Sequence, residues 1–268
     1  MPDLAERSIR WADLGIRAVS ALVLAPIALA CVWLGGIAFA VIVVATAVGL
    51  AVEWLRLLQA NRRRAEAGAA LERDERGSMH SPRSSSPLSR VIQTSGDSAF
   101  GHHALRVAGF GYVLLAAAAL LWLRSDPVAG RSDVLFLLCV VWSNDISAYL
   151  LGRWIGGPRL APRISPGKTW SGAAGGLVAA VAVGLLAAHV LSDTPPWGAI
   201  PVAAVLGVVA QGGDLLESFV KRRLEVKDSG HLIPGHGGLF DRLDALLAAT
   251  PVAALLALIL GRGVVLWQ

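Results

Sequence analysis

Long apolar runs separated by short charged segments constrain this chain more than any other feature. Residues 105–123 and 171–190 are almost free of charge, and comparable runs cover 16–34, 36–52, 133–151, 198–218 and 245–261. A helix needs roughly 20 mostly apolar residues to cross the hydrocarbon core of a bilayer. Only 16% of the residues are charged, whereas a soluble domain carries roughly 25%. This balance argues against a soluble globular enzyme, a secreted disulfide scaffold and a disordered protein. The pattern predicts an all-α, polytopic integral membrane helical bundle. Hydropathy gives seven spans. Helices rich in functional polar residues escape such a reading, so the expectation is about seven to nine transmembrane helices.

The first apolar stretch does not read as a cleaved leader, because it continues past Gly35 and Gly36 into 37–52. It predicts a transmembrane hairpin within residues 1–52. Residues 53–104 then carry Arg62, Arg63 and Arg64, mixed charges and a Ser/Pro/Arg stretch without apolar periodicity. They predict a flexible aqueous loop, and 105–268 a catalytic transmembrane domain. Cys31 and Cys139 sit inside apolar runs and predict buried thiols rather than a disulfide or metal site. The net charge of +5 carries no basic patch interleaved with aromatics, so nucleic acid is not an expected partner. Lys and Arg gather in the N-terminal segment and in 53–104, 152–170 and 219–243. The positive-inside rule places these segments in the cytoplasm. The polar clusters then fall at the cytoplasmic ends of the helices. Trp122, Trp154, Trp197 and Trp267 lie near span ends and read as interface anchors.

Three segments carry groups that chemistry needs. Asp145 lies within an apolar span with Tyr149 one helical turn on. A carboxylate there costs about 2.5–3.5 kcal/mol unless it meets water, a cation or a partner. Ser165-Pro166-Gly167-Lys168-Thr169 precedes a helix near Trp170. Gly167 lets the backbone approach an anion, Lys168 supplies charge, and the helix start supplies free N–H groups. The spacing is not that of a P-loop. The richest segment runs from Gln211 to Asp244. On a helix, Asp214, Ser218 and Lys221 form one stripe with Glu217 beside it. Lys227 and Asp228 follow, then the turn Pro234-Gly235-His236-Gly237-Gly238, whose N–H groups could cradle phosphate. Asp241, Arg242 and Asp244 open the last helix, with Asp241 and Asp244 on one face. Carboxylates on several helices suit Mg²⁺ that keeps positions open for substrate phosphates. Lys and Arg suit the charge that develops in phosphoryl transfer.

The run Ser218-x-x-Lys221-Arg222, Lys227-Asp228-x-Gly230 and Pro234-Gly235-His236-Gly237-Gly238-x-x-Asp241-Arg242-x-Asp244 resembles the signature of the phosphatidate cytidylyltransferases, or CDP-diacylglycerol synthases. Two further pieces agree: Asp145-x-x-Ala148-Tyr149-x-x-Gly152-Arg153, and Ser165-Pro166-x-Lys168-Thr169-Trp170. The resemblance covers roughly residues 140–250. It implies condensation of CTP with phosphatidic acid to CDP-diacylglycerol and pyrophosphate, the lipid phosphate attacking the α-phosphorus. It further implies a homodimer in the bacterial inner membrane, with a polar cavity open to the cytosol. By position, Asp214, Lys221, Arg222, Lys227, Asp228, Asp241 and Arg242 would be the catalytic set. Asp214, Asp241 and Asp244 would hold Mg²⁺, with a second cation such as K⁺ close by. Asp145, Tyr149, Ser165, Lys168, Thr169, Ser218, Gly235, His236, Gly237 and Gly238 would contact substrate.

The chain departs from the family at Ser171, where an acidic residue is common, and in the Arg/Ser-rich insertion 60–104. His102 and His103 stand without other ligands in sequence, and His189 and His231 have no evident partner. Two alternative readings remain at this stage. One is a CTP-dependent kinase or cytidylyltransferase acting on a polyprenol, phytol or ether lipid. The other is a cation transporter using Asp145 and Asp214, although no internal repeat is visible.

Overall fold

The computed structural model describes residues 25–78, 99–193, 195–224, 226, 230 and 238–268, with backbone only at 62, 64–66, 68–78 and 99–103. Seven helices are present among them: α1 (Ala25–Leu34), α2 (Gly36–Ser78), α3 (Ala99–Arg124), α4 (Gly130–Ile155), α5 (Trp170–Leu191), α6 (Ala199–Arg223) and α7 (Phe240–Leu260). Six have stretches long and apolar enough to cross a membrane, and α1 is a shorter apolar helix. The chain is thus an all-α, multi-pass membrane protein. The expected first span, 16–34, is described only from Ala25. A short antiparallel hairpin, β1 (Arg159–Ala161) and β2 (Ser165–Thr169), joins α4 to α5.

Local chemistry sets the helix ends. Gly35 and Gly36 turn the chain between α1 and α2 with φ of 64° and 53°, a region glycine enters without a Cβ penalty. Asp126 Oδ1 accepts from the N–H groups of Val128 and Ala129 just before α4. Thr169 caps α5, its Oγ1 accepting from Gly172 N at 3.1 Å.

Packing follows from small residues. Gly172, Gly176, Ala180, Gly184 and Ala188 form a buried stripe along α5. A Cβ on Gly172 would lie 2.6 Å from Ala148 O, and one on Gly176 2.8 Å from Asn144 O. In lipid, close backbone approach of this kind is the main source of helix association. Helix α4 therefore lies tightly on α5, and α6 packs on α5 and α7. One apolar core runs through the bundle around Phe136, Val140 and Leu206. A second, formed by Leu50, Trp54, Val113, Phe240 and Leu247, joins α2 and α3 to the start of α7.

Two expectations are corrected. Residues 53–78, read as the start of a flexible loop, continue α2, and α3 already begins at Ala99. Beyond Leu58 the segment has no apolar stripe, but Ala, Glu and Arg dominate it. Trp54, Leu57 and Leu58 still pack into the second core, and beyond them a helix already nucleated propagates through such residues on propensity. The segment 152–170, read as a cytoplasmic loop, holds the end of α4 and the β1–β2 hairpin. Residues 79–98 lie outside the described residues.

Candidate active site

The polar residues of α4, β2, α6 and α7 meet at one end of the bundle. A cavity of about 510 Å³ opens there, lined by α4, the hairpin and α5, with Gln211 of α6. Asp145, Tyr149, Ser165, Lys168 and Thr169 all line it, as their sequence pattern predicts. Gly152, Gly167, Gly172 and Ala173 keep its wall low. Arg153 reaches Tyr149 Oη at 3.3 Å.

Lys168 links the cavity to a row of carboxylates. Its Nζ lies 2.5 Å from Asp214 Oδ2. Asp214, Glu217 and Asp244 bring one oxygen each to within 4.8 Å of one another. Lys221 Nζ then bridges Glu217 at 2.9 Å and Asp241 at 2.8 Å. The second oxygen of Asp241 accepts from Gly238 N at 3.0 Å. Lys168 and Lys221 thus flank the acidic trio, both about four-fifths buried. Glu217 Oε1 is buried and has no hydrogen-bond partner. An acceptor left so costs about 1–3 kcal/mol, which a bound cation would relieve.

The structure sorts the expected residues. Of the three carboxylates expected to hold a metal, Asp214 and Asp244 come together, while Asp241 faces Lys221. Glu217, expected only beside the stripe, completes the acidic trio. Its spacing of three residues from Asp214 is the signal that carries it. Ser218 is half-buried on α6, and Arg242 is exposed on the first turn of α7. Arg222 Nε donates to Ile164 O at 3.3 Å, tying α6 to the hairpin. The Thr169 hydroxyl, expected on substrate, already caps α5. Ser171, the departure from the family pattern, donates to Gly156 O and pairs with Thr169 Oγ1, closing the hairpin. Lys227, Asp228, Gly235, His236 and Gly237 lie outside the described residues. Sequence reasoning missed Asn144 and Gln211. Asn144 is fully buried, and its Oδ1 accepts from Gln211 Nε2 at 2.9 Å. Polar amides inside two apolar spans are the signal for them.

Comparison with known proteins agrees with this arrangement. The pattern of the cytidylyltransferase family matches residues 85–260. A Brucella abortus protein named phosphatidate cytidylyltransferase is 41% identical over 257 residues, 92% of this chain and 93% of its own. The chain belongs to the cytidylyltransferase family. Proteins of the same name match over shorter stretches. That of Haemophilus influenzae is 41% identical across 47% of this chain and 46% of its own. That of Mycobacterium leprae is 43% identical across 47% and 41%. In this cytidylyltransferase the matched region spans α3 to α7 and so takes in the cavity, both lysines and the acidic trio. The first two helices fall outside the family pattern but within the Brucella match, which leaves little of the chain uncovered.

Proposed function

We propose that this enzyme is a phosphatidate cytidylyltransferase, condensing CTP with phosphatidic acid to give CDP-diacylglycerol and pyrophosphate. The observation that carries the reading is the near full-length match to proteins of that name, over a chain with cations and carboxylates gathered at a cavity at one end of the helical bundle. In the reaction a phosphate oxygen of the lipid bonds to the α-phosphorus of CTP. The α–β phosphoanhydride bond breaks, and pyrophosphate leaves with its electron pair. The nucleophile is already anionic, so catalysis rests on positioning and charge stabilisation rather than on a general base.

The chain's own residues suit this task. Lys168 and Arg153 on the cavity wall would draw in phosphate, as would Lys221 beside the trio. The apolar helix surfaces let the acyl chains remain in the bilayer while the headgroup enters the cavity. Asp214, Glu217 and Asp244 fit Mg²⁺, a hard cation that takes carboxylate oxygens and leaves positions for phosphate. The unpartnered Glu217 Oε1 supports the fit. When bound, the ion would neutralise charge on the triphosphate and on the departing pyrophosphate. Lys168 and Lys221 offset part of the negative charge gathered there.

The finer placement is also a proposal. The Arg- and Lys-bearing segments at the cavity end favour a cytosolic orientation in a bacterial inner membrane. The family resemblance favours a homodimer. A discontinuous assay tests the function, using purified protein, labelled CTP, phosphatidic acid and Mg²⁺. Lipid-extractable cytidine label that depends on phosphatidic acid and disappears with EDTA is the expected result. Label that forms only with a polyprenol or another lipid alcohol would overturn the phosphatidate assignment.

A further inference from the structure

Glu53 lies in α2, outside the expected site, and is 1% exposed. An ionisable side chain buried within a membrane span is costly and needs a reason. Its Oε2 accepts from the main-chain N–H of Phe240, the first residue of α7, at 2.8 Å. The partners are 187 residues apart in sequence. The carboxylate also presses on Gly230: a Cβ there would stand 3.1 Å from Glu53 Cγ and Cδ, and closer still to Oε1. Glu53 therefore touches the chain at both Gly230 and Phe240. Its neighbour Trp54 packs on the Phe240 ring, with centroids 5.8 Å apart. Phe240 is thus gripped twice from α2, at the backbone by Glu53 and at the ring by Trp54.

What is gripped is the turn that carries the chemistry. Asp241 follows Phe240 directly, and Asp244 joins the acidic trio one turn later. The N-cap position of α7 is Leu239, which supplies no side-chain cap. Glu53 provides from another helix the acceptor that a local Ser or Asp would otherwise supply, and the positive end of the α7 dipole favours its charge.

We infer that Glu53 is a positioning residue for the reaction: by fixing the first turn of α7 it sets Asp244 against Asp214 and Glu217, and Asp241 against Lys221. It touches no substrate. The inference rests on the metal-assisted reading of the site. It links the N-terminal hairpin, which lies outside the family pattern, to the catalytic helices.

The test uses the full-length protein in detergent and compares wild type with Glu53→Gln and Glu53→Met. Mn²⁺ binding is followed by electron paramagnetic resonance, alongside thermal unfolding, kcat and the KM for CTP. Glu53→Gln keeps an oxygen for Phe240 N–H and is expected to match the wild type in Mn²⁺ affinity. Glu53→Met removes the acceptor at similar volume. It is expected to weaken Mn²⁺ binding about tenfold or more, the usual cost of losing a group that orients metal ligands, with kcat falling further than KM changes. If Glu53→Met does not survive purification, Glu53→Asp, which draws the carboxylate back by one methylene, takes its place under the same criteria. A variant that unfolds earlier yet binds Mn²⁺ like the wild type overturns the inference and leaves Glu53 a stabilising cap. Wild-type protein that binds no Mn²⁺ overturns the metal reading itself, and this inference with it.

Discussion

Both ends of the bundle bury carboxylates, but they satisfy them differently. At the end away from the cavity, Asp126 accepts from Val128 N, Ala129 N and Gly263 N, and Asp133 accepts from Leu266 N at 2.9 Å. Both oxygens of Asp126 and Oδ1 of Asp133 meet fixed main-chain donors, and together they seat the C-terminal turn, with Trp267 on Phe136 and its Nε1 on Ser192 Oγ. At the cavity end the carboxylates meet flexible lysine ammoniums and one another, and Glu217 Oε1 has no hydrogen-bond partner. Main-chain donors cannot be exchanged without unfolding, whereas a lysine can swing away when a phosphate or cation arrives. A buried carboxylate in a membrane protein is therefore no sign of function by itself. The nature of its partners separates a lock from a site. Glu53 tests the distinction from the middle: it stands at the cavity end but is bonded to backbone, as a lock is.

The largest effect should come from the exchangeable carboxylates. Asp214→Asn, Glu217→Gln and Asp244→Asn keep shape and remove charge. If these groups hold the metal, each forfeits several kcal/mol of transition-state stabilisation, a fall in kcat/KM of about 10³-fold or more. Thermal stability should hold or rise for Asp244→Asn, which relieves repulsion within the trio, and fall modestly for Asp214→Asn and Glu217→Gln, which weaken the pairs with Lys168 and Lys221. A variant that kept near-normal turnover would remove that carboxylate from the site and weaken the contrast between the two ends.

Lys221→Met should come next. It leaves Glu217 and Asp241 facing each other without their shared cation, both side chains being less than one-sixth exposed. Breaking a buried ion pair from one side costs about 3 kcal/mol, so the melting temperature should drop as well as the activity. Excess Mg²⁺ should recover part of the stability but not the CTP affinity. An unchanged melting temperature would show that the carboxylates reorganise freely and that the ion pairs hold no geometry.

How much of this was legible in sequence differs between the same two regions. The apolar runs predict the spanning helices because a bilayer admits little else, and hydropathy reads length directly. The cavity residues are legible because each is a costly polar group in an apolar or glycine-rich context. What stayed hidden depends on partners far away in the chain. Glu53 marks the end of an apolar run and looks like the start of a loop until Phe240 is seen above it. Asp126, between two expected spans, and Asp133, the first residue of one, show no partner in sequence until the C-terminal turn lands on them. The extension of α2 to Ser78 escaped because propensity, not periodicity, carries it. Thr169 was assigned by motif to substrate, although its place directly before the first helical residue also marks it as a cap.

The smallest effect concerns the lock, and its sign follows from Asp126. Burial works to raise its carboxyl, but the N–H groups of Ala129, Val128 and Gly263, with Arg262 nearby, outweigh burial and hold it below the usual aspartate range. A group whose folded pKa is depressed adds stability above its unfolded value, near 3.9, and loses it as pH falls through the folded value. The C-terminal turn should thus be secure at neutral pH and loosen only in acid below about pH 4. Arg262 contributes little to this, since its contact is 3.6 Å long and half-exposed. Asp126→Asn should cost about 1–2 kcal/mol at neutral pH, leave kcat unchanged, and flatten the acid response of the turn. Hydrogen exchange at Gly263 and Leu266 amides reads the loosening directly. If those amides stay protected in acid in the wild type, or if Asp126→Asn lowers kcat, the two ends are coupled, and the division between lock and site fails at the point where the structure draws it most sharply.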